Sequence, residues 1–425
     1  MKRSVLLVAA LLLPLILLGI SWLLLAIPGQ GGLQALRVPE VARSAPATDG
    51  AVLARGQRLA RIGNCIGCHT RRGGAELAGG RGFETPWGVV YSSNLTPHPE
   101  FGIGRWSLAE FGHAMRHGVS RNGALSPVFP FAQFAHLDDT DIAALFAWLS
   151  TRPPVAEAPP AHRLEFPASL PGAMLGWRLL YYRPAPLIAS ADTSAEWRLG
   201  QRLVEGIGHC AMCHAGRGRH ASLQGGLGGQ RQSGWYAPPL DGESLGHFDL
   251  RSLADYLRSG QSSVAAANGP MADVVFHGLR YITQDEAKAM AVYLLDLPKR
   301  PAPSARRGVQ VQESVFREGE AIYAAHCADC HGDEGEGSAS VSRPLRLASA
   351  VRMADPVNAI NMVLLGGGPP SSDVHPLPPM MPPFAQRLSA AEVAAVVSYV
   401  RRRFGADQRG VDAALVRSHA GAFLH

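Results

Sequence analysis

Cys65-Ile66-Gly67-Cys68-His69 is the first of three copies of a C-x-x-C-H pentapeptide. The other copies are Cys210-Ala211-Met212-Cys213-His214 and Cys327-Ala328-Asp329-Cys330-His331, and together they use all six cysteines of the chain. Two thiols at this spacing can form thioethers with the two vinyl groups of one haem, and the histidine that follows can ligate its iron. We therefore predict three covalently bound c-type haems.

The pentapeptides define the predicted haem-binding residues. The residues predicted to bind haem covalently are Cys65, Cys68, Cys210, Cys213, Cys327 and Cys330. The histidines predicted as axial ligands of the iron are His69, His214 and His331. Structural zinc is the alternative, but each site would need a further C-x-x-C or H-x-x-x-H pair. The sequence does not supply one for each pentapeptide.

Composition and charge narrow the functional classes. Charged residues make up 17% of the 425 residues, whereas Gly (47) and Pro (32) are abundant, which favours compact helices joined by irregular loops. The formal net charge is +6, but the basic residues are dispersed, so we expect no nucleic-acid partner. We interpret the positive charge as a solvated surface that favours an acidic protein partner.

The N-terminus has the pattern of a membrane anchor or a signal sequence. Lys2 and Arg3 precede an apolar run from Val5 to Ile27, which is long enough to span a bilayer. The flanking basic residues place the N-terminus in the cytoplasm and the rest of the chain outside. We expect a protein on the periplasmic side of a bacterial inner membrane with a single N-terminal anchor. Cleavage near Ala26 is the alternative.

The same helical plan surrounds each pentapeptide. A helix with an internal glycine comes before it, and a capped helix is predicted after it, over residues 138–149, 283–295 and 389–403. The three glycines are Gly56, Gly200 and Gly319. Glycine is unfavourable inside a helix, so its recurrence predicts close packing of the first helix against the closing helix.

This repetition predicts three tandem domains. They cover residues 51–153, 196–297 and 316–405. Residues 1–28 are the anchor or signal, 29–50 a tether, 154–195 a proline-rich linker that packs on the domains or on a partner, 298–315 a stiffer linker, and 406–425 a loose tail. The predicted fold class is all-α.

Two domains contain a well-placed methionine for the second axial position. A thioether ligand favours ferrous iron and raises the haem potential. Met381, which Pro382 follows, is predicted for the third haem, with Met380 as the alternative. Met271 is predicted for the second haem, because Met290 lies within the closing helix and is better interpreted as core.

The first domain departs from this pattern. Phe129 stands where a methionine is expected. Met115, in a helix predicted over residues 107–118, is the one methionine between His69 and the end of the closing helix, and it is our prediction by elimination. Ligation by His113 or His117, a more distant His136, and a five-coordinate haem stay open.

These features resemble a known family. The chain is similar to the membrane-anchored triple-haem cytochrome c subunits of bacterial periplasmic dehydrogenases, from about residue 51 to 405. The motifs that carry the resemblance are Thr85-Pro86-Trp87-Gly88, Ser93-Asn94-Leu95-Thr96-Pro97, Gly102-Ile103-Gly104-Arg105-Trp106, Gly234-Trp235-Tyr236-Ala237-Pro238, Gly269-Pro270-Met271-Ala272 and Met381-Pro382-Pro383-Phe384. Family members often have Met-Pro-Tyr where this chain has Phe129-Pro130-Phe131, a segment similar to that of the branch paired with molybdenum hydroxylases.

The resemblance implies three tandem cytochrome c domains after an N-terminal transmembrane helix, and an electron-transfer role. The implied electron donor is a periplasmic dehydrogenase that depends on molybdenum, PQQ or flavin and oxidises an aldehyde, alcohol, sugar acid or N-heterocycle. The implied acceptor is membrane quinone or a downstream cytochrome or oxidase. We predict no catalytic residue. The alternatives are a haem enzyme, such as a peroxidase with an open first haem, and a redox sensor.

Overall fold

The structure, a computed structural model, describes residues 38–39, 49–182, 187, 192–216, 226–240, 244–298, 309–338, 341–372, 376–405 and 409–420. The chain divides into two compact units. One consists of residues 1–56 and 69–186, and the other of residues 57–68 and 187–425. The first boundary between the units falls within helix α1 (Gly50–Ile62). The next boundary follows the short helix α2 (Cys65–Cys68), which belongs to the second unit.

Among its described residues, the first unit contains four further helices and three small strand pairings. Strand β1 pairs with β2 and β2 with β5, both antiparallel, while β3 and β4 form a separate hairpin. The elements are β1 (Gly82–Thr85), β2 (Gly88–Tyr91), α3 (Leu108–His117), β3 (Val119–Ser120), β4 (Gly123–Ala124), α4 (Phe131–Phe134), α5 (Asp139–Ser150), β5 (Arg163–Leu164) and α6 (Ala173–Tyr181).

Where the structure describes it, the second unit is mainly helical, with one antiparallel pair of strands. Its elements are α7 (Ala195–Gln201), which continues as a π-helical segment (Arg202–Ile207), α8 (Ala211–His214), β6 (Gln230–Gln232), β7 (Trp235–Ala237), α9 (Leu250–Ser259), α10 (Pro270–His277), α11 (Gln284–Asp296), α12 (Glu313–His326), α13 (Ala328–His331), α14 (Ser349–Arg352), α15 (Val357–Leu365), α16 (Ala390–Gly405) and α17 (Ala413–Ala420). Short 3-10 turns lie at Leu279–Tyr281 and Leu345–Leu347. The fold is thus predominantly helical, as predicted, but the strands show that it is not purely all-α.

The predicted glycine packing is confirmed at all three positions. Each glycine lies on the helix before a pentapeptide and faces the backbone of the closing helix, α5, α11 or α16. A Cβ atom built on the glycine would lie 2.0 Å from Ala144 O at Gly56, 2.0 Å from Ala289 O at Gly200 and 2.2 Å from Ala395 O at Gly319. The absence of a side chain therefore lets the two helix backbones touch, once in the first unit and twice in the second.

The predicted helix caps are also confirmed. The Asp138 side chain accepts a hydrogen bond from the Asp141 amide at the start of α5. Thr283 forms a complete capping box at the start of α11. The Ser389 hydroxyl accepts from the Glu392 amide, and the Glu392 carboxylate accepts from the Ser389 amide, at the start of α16. These bonds satisfy amides that the first helical turn leaves without partners.

Part of the proline-rich linker is folded onto the first unit, as predicted. Strand β5 extends the β1–β2 pair. Arg178, on α6, is buried with its guanidinium over the rings of Phe131 and Tyr182. The C-terminal tail contradicts the prediction of a loose extension, because α17 packs against α15 and α16 and buries Val411 and Val416.

In the part of the chain that the structure describes, no helix is both long and apolar enough to cross a bilayer. The predicted span from Val5 to Ile27 lies outside the described residues, as do most of the tether over residues 29–50 and residues 299–308 of the second linker.

Candidate haem sites

Two of the three predicted axial histidines are held by a backbone carbonyl. Nδ1 of His69 lies 2.7 Å from Ser93 O, and Nδ1 of His214 lies 2.6 Å from Pro238 O. Because a carbonyl can only accept, Nδ1 carries the proton in each ring, and the lone pair of Nε2 is left for a metal. Burial lowers the pKa of both histidines, which keeps the rings neutral and able to ligate. These two residues therefore fit the proximal position of a haem.

His331 lies in a different environment. Burial also lowers its pKa, but its Nδ1 has no hydrogen-bond partner among the described residues. The backbone around it is still ordered, since the His331 carbonyl accepts from the Gly337 amide and the Cys330 carbonyl accepts from the Ser342 hydroxyl. A histidine that donates no hydrogen bond is a weaker electron donor to iron than one that does.

The environment of the pentapeptide cysteines is compatible with the predicted covalent attachment. None of the six forms a disulfide. Burial raises the pKa of the Cys65 and Cys210 thiols to about 12 and that of Cys327 to about 11. Such thiols are neutral in the folded chain, and their surroundings suit an uncharged thioether better than a thiolate.

The loop that contains Met271 meets the strand that supports His214. Gly269 has a φ of 54°, and a Cβ atom there would lie 2.8 Å from the Trp235 ring. Trp235 begins β7, which leads to Pro238, the acceptor for His214. Pro270 and Met271 then open α10, and the Met271 side chain is half-buried. The structure thus brings the Met271 loop beside the support of the predicted opposite ligand.

Met381 is better fixed than its neighbour. It forms an isolated antiparallel bridge with Gly367, in which the Gly367 amide donates to Met381 O at 2.9 Å and the Met381 amide donates to Gly367 O at 2.8 Å. Its side chain is partly buried against the apolar core of α15 and α16, whereas Met380 is 61% exposed. This difference favours Met381 over Met380, and ligation by Met381 stays a prediction.

The first site offers competing candidates on one helix. Met115 is buried in α3, while His113 and His117 are half-buried, with their ring centroids 4.7 Å apart. Burial and the charges of His113, Arg178 and Arg116 lower the pKa of His117 to about 4. Met115 is two residues from both histidines, about 200° round the helix, so it cannot face the same haem as they do.

The remaining first-site candidates are placed around the following turn. The ring of Phe129 lies edge-on to Phe134 at 5.4 Å between centroids, which makes it part of an aromatic contact. His136 is half-buried, and burial lowers its pKa. The sixth ligand of the first site stays a prediction. Met115 and the histidine pair of α3 exclude each other, and His136 and a five-coordinate haem stay open.

Sequence reasoning missed the carbonyl acceptors Ser93 and Pro238. Each lies 24 residues after the histidine it supports. Both belong to motifs that carry the family resemblance, 93–97 and 234–238. Their equal distance from the pentapeptide was the signal that could have identified them. The third pentapeptide has no equivalent bond among the described residues, so this spacing identifies the carbonyl acceptor at only two of the three sites.

A buried acid lies beside the second pentapeptide. The Tyr293 hydroxyl donates to Glu205 Oε1 at 2.9 Å, and burial raises the pKa of Glu205. A carboxyl whose folded-state pKa is raised contributes stability that is fully present below its unfolded pKa. That stability is lost as the pH rises through the folded-state pKa.

We expect Glu205→Gln to remove this pH dependence and to stabilise the chain above the folded-state pKa, since the amide keeps an acceptor for Tyr293 without a buried charge. Urea unfolding at a series of pH values measures the effect. Glu318→Gln, at an exposed position of α12, is the matched control and should leave the profile unchanged. Identical pH profiles for Glu205→Gln and the parent chain would contradict the prediction.

Comparisons with known proteins agree with this geometry. The sequence profile of the family Cytochrome c matches residues 53–153 and 316–403. The cytochrome c subunit of alcohol dehydrogenase (quinone) from Gluconacetobacter polyoxogenes is 32% identical over 85% of this chain and 82% of its own length. The chain belongs to the family of dehydrogenase cytochrome c subunits. It is thus a cytochrome c subunit with covalently bound c-type haem, as the pentapeptides predicted.

Other members of the family differ in the dehydrogenase that they serve. The gluconate 2-dehydrogenase cytochrome c subunit of Pantoea cypripedii is 33% identical to this cytochrome subunit over 84% of the chain. One of the subunits of nicotinate dehydrogenase from Pseudomonas putida is 36% identical over 92% of the chain. The chain spans only 34% of the length of that relative, about a third.

Proposed function

We propose that this cytochrome subunit carries three c-type haems and passes electrons from a partner dehydrogenase, through those haems, to membrane quinone or a downstream cytochrome. The proposal of three haems, and not two, depends on the region around the second pentapeptide. The family profile does not cover it, yet it repeats the glycine contact of Gly200 with α11 and the bond from His214 to a carbonyl.

Contacts within the second unit support transfer between the second and third haems. Asn358, on α15, accepts from the Tyr236 amide at 2.9 Å and donates to the Tyr236 carbonyl at 2.7 Å. Asn361 donates to Gly234 O at 2.9 Å, and Arg231 forms an ion pair with Asp355. The same helix leads into the Gly367 bridge to Met381. One helix therefore fixes both the strand that supports His214 and the loop that contains Met381.

The names of the relatives indicate the class of donor. Alcohol, gluconate and nicotinate dehydrogenases are represented, so the proposed partner is a dehydrogenase that oxidises a small alcohol, aldehyde, sugar acid or N-heterocycle with PQQ, flavin or molybdenum. The proposed location is the periplasmic face of a bacterial inner membrane. Haem itself supplies the redox chemistry, and the chain contributes attachment, axial ligands and burial.

Purification of the chain with its bound partners from bacterial membranes tests the proposal. Intact mass measurement should give three haems per chain, and the substrate of the co-purified dehydrogenase should reduce them under anaerobic conditions. Two haems per chain, or haems that the substrate leaves oxidised, would refute the proposal. Rapid carbon monoxide binding together with peroxide turnover would instead show that the first haem is an open catalytic site.

For the first haem, we expect Met115→Ala to abolish one methionine–iron charge-transfer band and to lower one midpoint potential, because a thioether ligand stabilises ferrous iron. Absorption spectra of the oxidised protein and a redox titration measure both. Met290→Ala, which alters a fully buried methionine of α11, is the control for general packing effects. A bis-histidine EPR signal from the unaltered protein would exclude Met115 and assign the site to a histidine, with His113, His117 and His136 as the candidates.

A further inference from the structure

The segments that precede the first and second pentapeptides touch inside the second unit. Nε2 of His209, the residue directly before Cys210, lies 3.2 Å from the carbonyl oxygen of Gly63, two residues before Cys65. A Cβ atom on Gly63 would lie 2.9 Å from Cδ1 of Ile207, so the Ile207 side chain packs directly against the Gly63 backbone. The contact therefore joins two stretches of chain at the places where haem is attached.

Neighbouring contacts extend this junction along α1. The Arg61 guanidinium lies 4.4 Å from the centroid of the Tyr281 ring, and its Nη1 donates to the Tyr281 hydroxyl at 3.1 Å. A Cβ atom on Gly278 would lie 3.0 Å from the Arg61 carbonyl. Arg58 is 3.6 Å from the Glu286 carboxylate. The junction is a packed surface, and His209 lies at the end nearest to the cysteines.

Backbone conformation distinguishes these two segments from the third. Asn64, directly before Cys65, has a φ of 51°, and His209, directly before Cys210, has a φ of 38°. The left-handed region is unfavourable for most residues with a side chain, and asparagine and histidine are among those that adopt it most often. His326, at the same place before the third pentapeptide, ends the right-handed helix α12. Of the three residues that directly precede a pentapeptide, the two whose segments touch are thus the ones with a positive φ.

We propose that His209 is a positioning residue for electron transfer between the first and second haems. The inference rests on the proposed function, since it assumes a haem at each of these pentapeptides. Thioethers at Cys65 and Cys68 would tie one macrocycle to α2, and thioethers at Cys210 and Cys213 would tie the other to α8. The bond from the His209 ring to Gly63 O holds these attachment points near each other, and it would thereby constrain the distance between haems bound there.

The protonation of the ring is consistent with this role. Partial burial of His209 lowers its pKa and keeps the ring neutral. Because the Gly63 carbonyl can only accept, the proton lies on Nε2. The junction therefore depends on a neutral hydrogen bond, and it holds without a charge that would itself alter the haem potentials.

Two substitutions of His209 in the haem-loaded full chain test the proposal. Leu removes the donor, whereas Gln retains an N–H group at similar reach, and both have a Cβ atom on the same left-handed backbone. After flash photoreduction, His209→Leu should slow electron exchange between the first and second haems severalfold, because without this hydrogen bond the two attachment points can move apart. His209→Gln should restore the parent rate, and the midpoint potentials should be unchanged in both variants.

If the Leu variant does not fold, Arg61→Ala provides a second test, because it weakens the same junction from the exposed side. It should slow electron exchange between the first and second haems and leave exchange between the second and third unchanged. If His209→Leu exchanged electrons between these haems at the rate of the parent chain, the proposal would be overturned. The same holds for Arg61→Ala if the Leu variant does not fold. Equal slowing of exchange between the second and third haems, or shifted potentials, would also overturn the proposal, since either would indicate a general structural defect. If the parent chain shows no exchange between haems at all, the proposed function itself fails.

Discussion

Gly200→Ala is expected to destabilise the second unit by about 3 kcal/mol, near the upper end of the usual range for overpacking. The new methyl group would lie 2.0 Å from Ala289 O and 2.8 Å from Tyr293 Cβ. The first of these atoms belongs to the backbone, so rotation of a side chain cannot relieve the clash. The helices α7 and α11 would have to separate, and the gain of up to ~1 kcal/mol in helix propensity does not offset this cost. The midpoint of urea unfolding, followed by circular dichroism and by the haem absorption, measures the effect.

Gly176→Ala is the matched control for this prediction. Gly176 also lies within a helix, α6, but no atom is within 4 Å of the position that a Cβ would take. The same chemical change should therefore leave stability unchanged or raise it by up to ~1 kcal/mol through reduced freedom of the unfolded chain. Equal destabilisation by the two substitutions would contradict the packing explanation.

Met381→Ala is expected to lower the midpoint potential of the third haem by on the order of 0.1 V or more, within the ~0.8 V range over which axial ligands set haem potentials. One methionine–iron charge-transfer band should disappear from the oxidised spectrum. Spectroscopic redox titration of the purified chain measures both changes, and the loss should be confined to one haem.

The neighbouring methionine supplies the control. Met380 differs from Met381 by one position but is mostly exposed, so Met380→Ala should leave the spectrum and the titration curve unchanged. If Met380→Ala removed the band and Met381→Ala did not, the assignment of the ligand would be reversed. An unaltered spectrum in both variants would exclude methionine from this site.

Features repeated in the sequence were predicted well. The three glycines and the capped closing helices recur at matching places around each pentapeptide, so chance was a poor explanation for any of them. The physical reason is common to all three: two helix backbones can touch only where a side chain is missing. A single copy, such as Gly319 alone, would not have distinguished this contact from an ordinary loop or surface glycine.

Features that depend on distant contacts were predicted less well. Strands of two to four residues, such as β3 and β5, are too short for a periodic pattern to reveal them. The tail was wrongly predicted as loose, because the burial of Val416 is decided by α15 and α16 and not by the tail itself. The carbonyl acceptors were missed because any residue type can supply a backbone oxygen.

The first site shows a different limit. Sequence reasoning identified the missing methionine at Phe129 and named Met115 by elimination. The structure adds that Met115 and the two histidines of α3 lie on different sides of the helix. That separation makes Met115 and the histidines of α3 exclusive alternatives, which a single EPR spectrum can distinguish.

The burial of the cysteine thiols also constrains how the protein is made. Only the thiolate reacts readily, and a thiol with a pKa of about 12, as at Cys65 and Cys210, is ionised to roughly one part in 10⁵ at neutral pH. We therefore expect attachment of the cofactor to precede closure of the fold around these thiols.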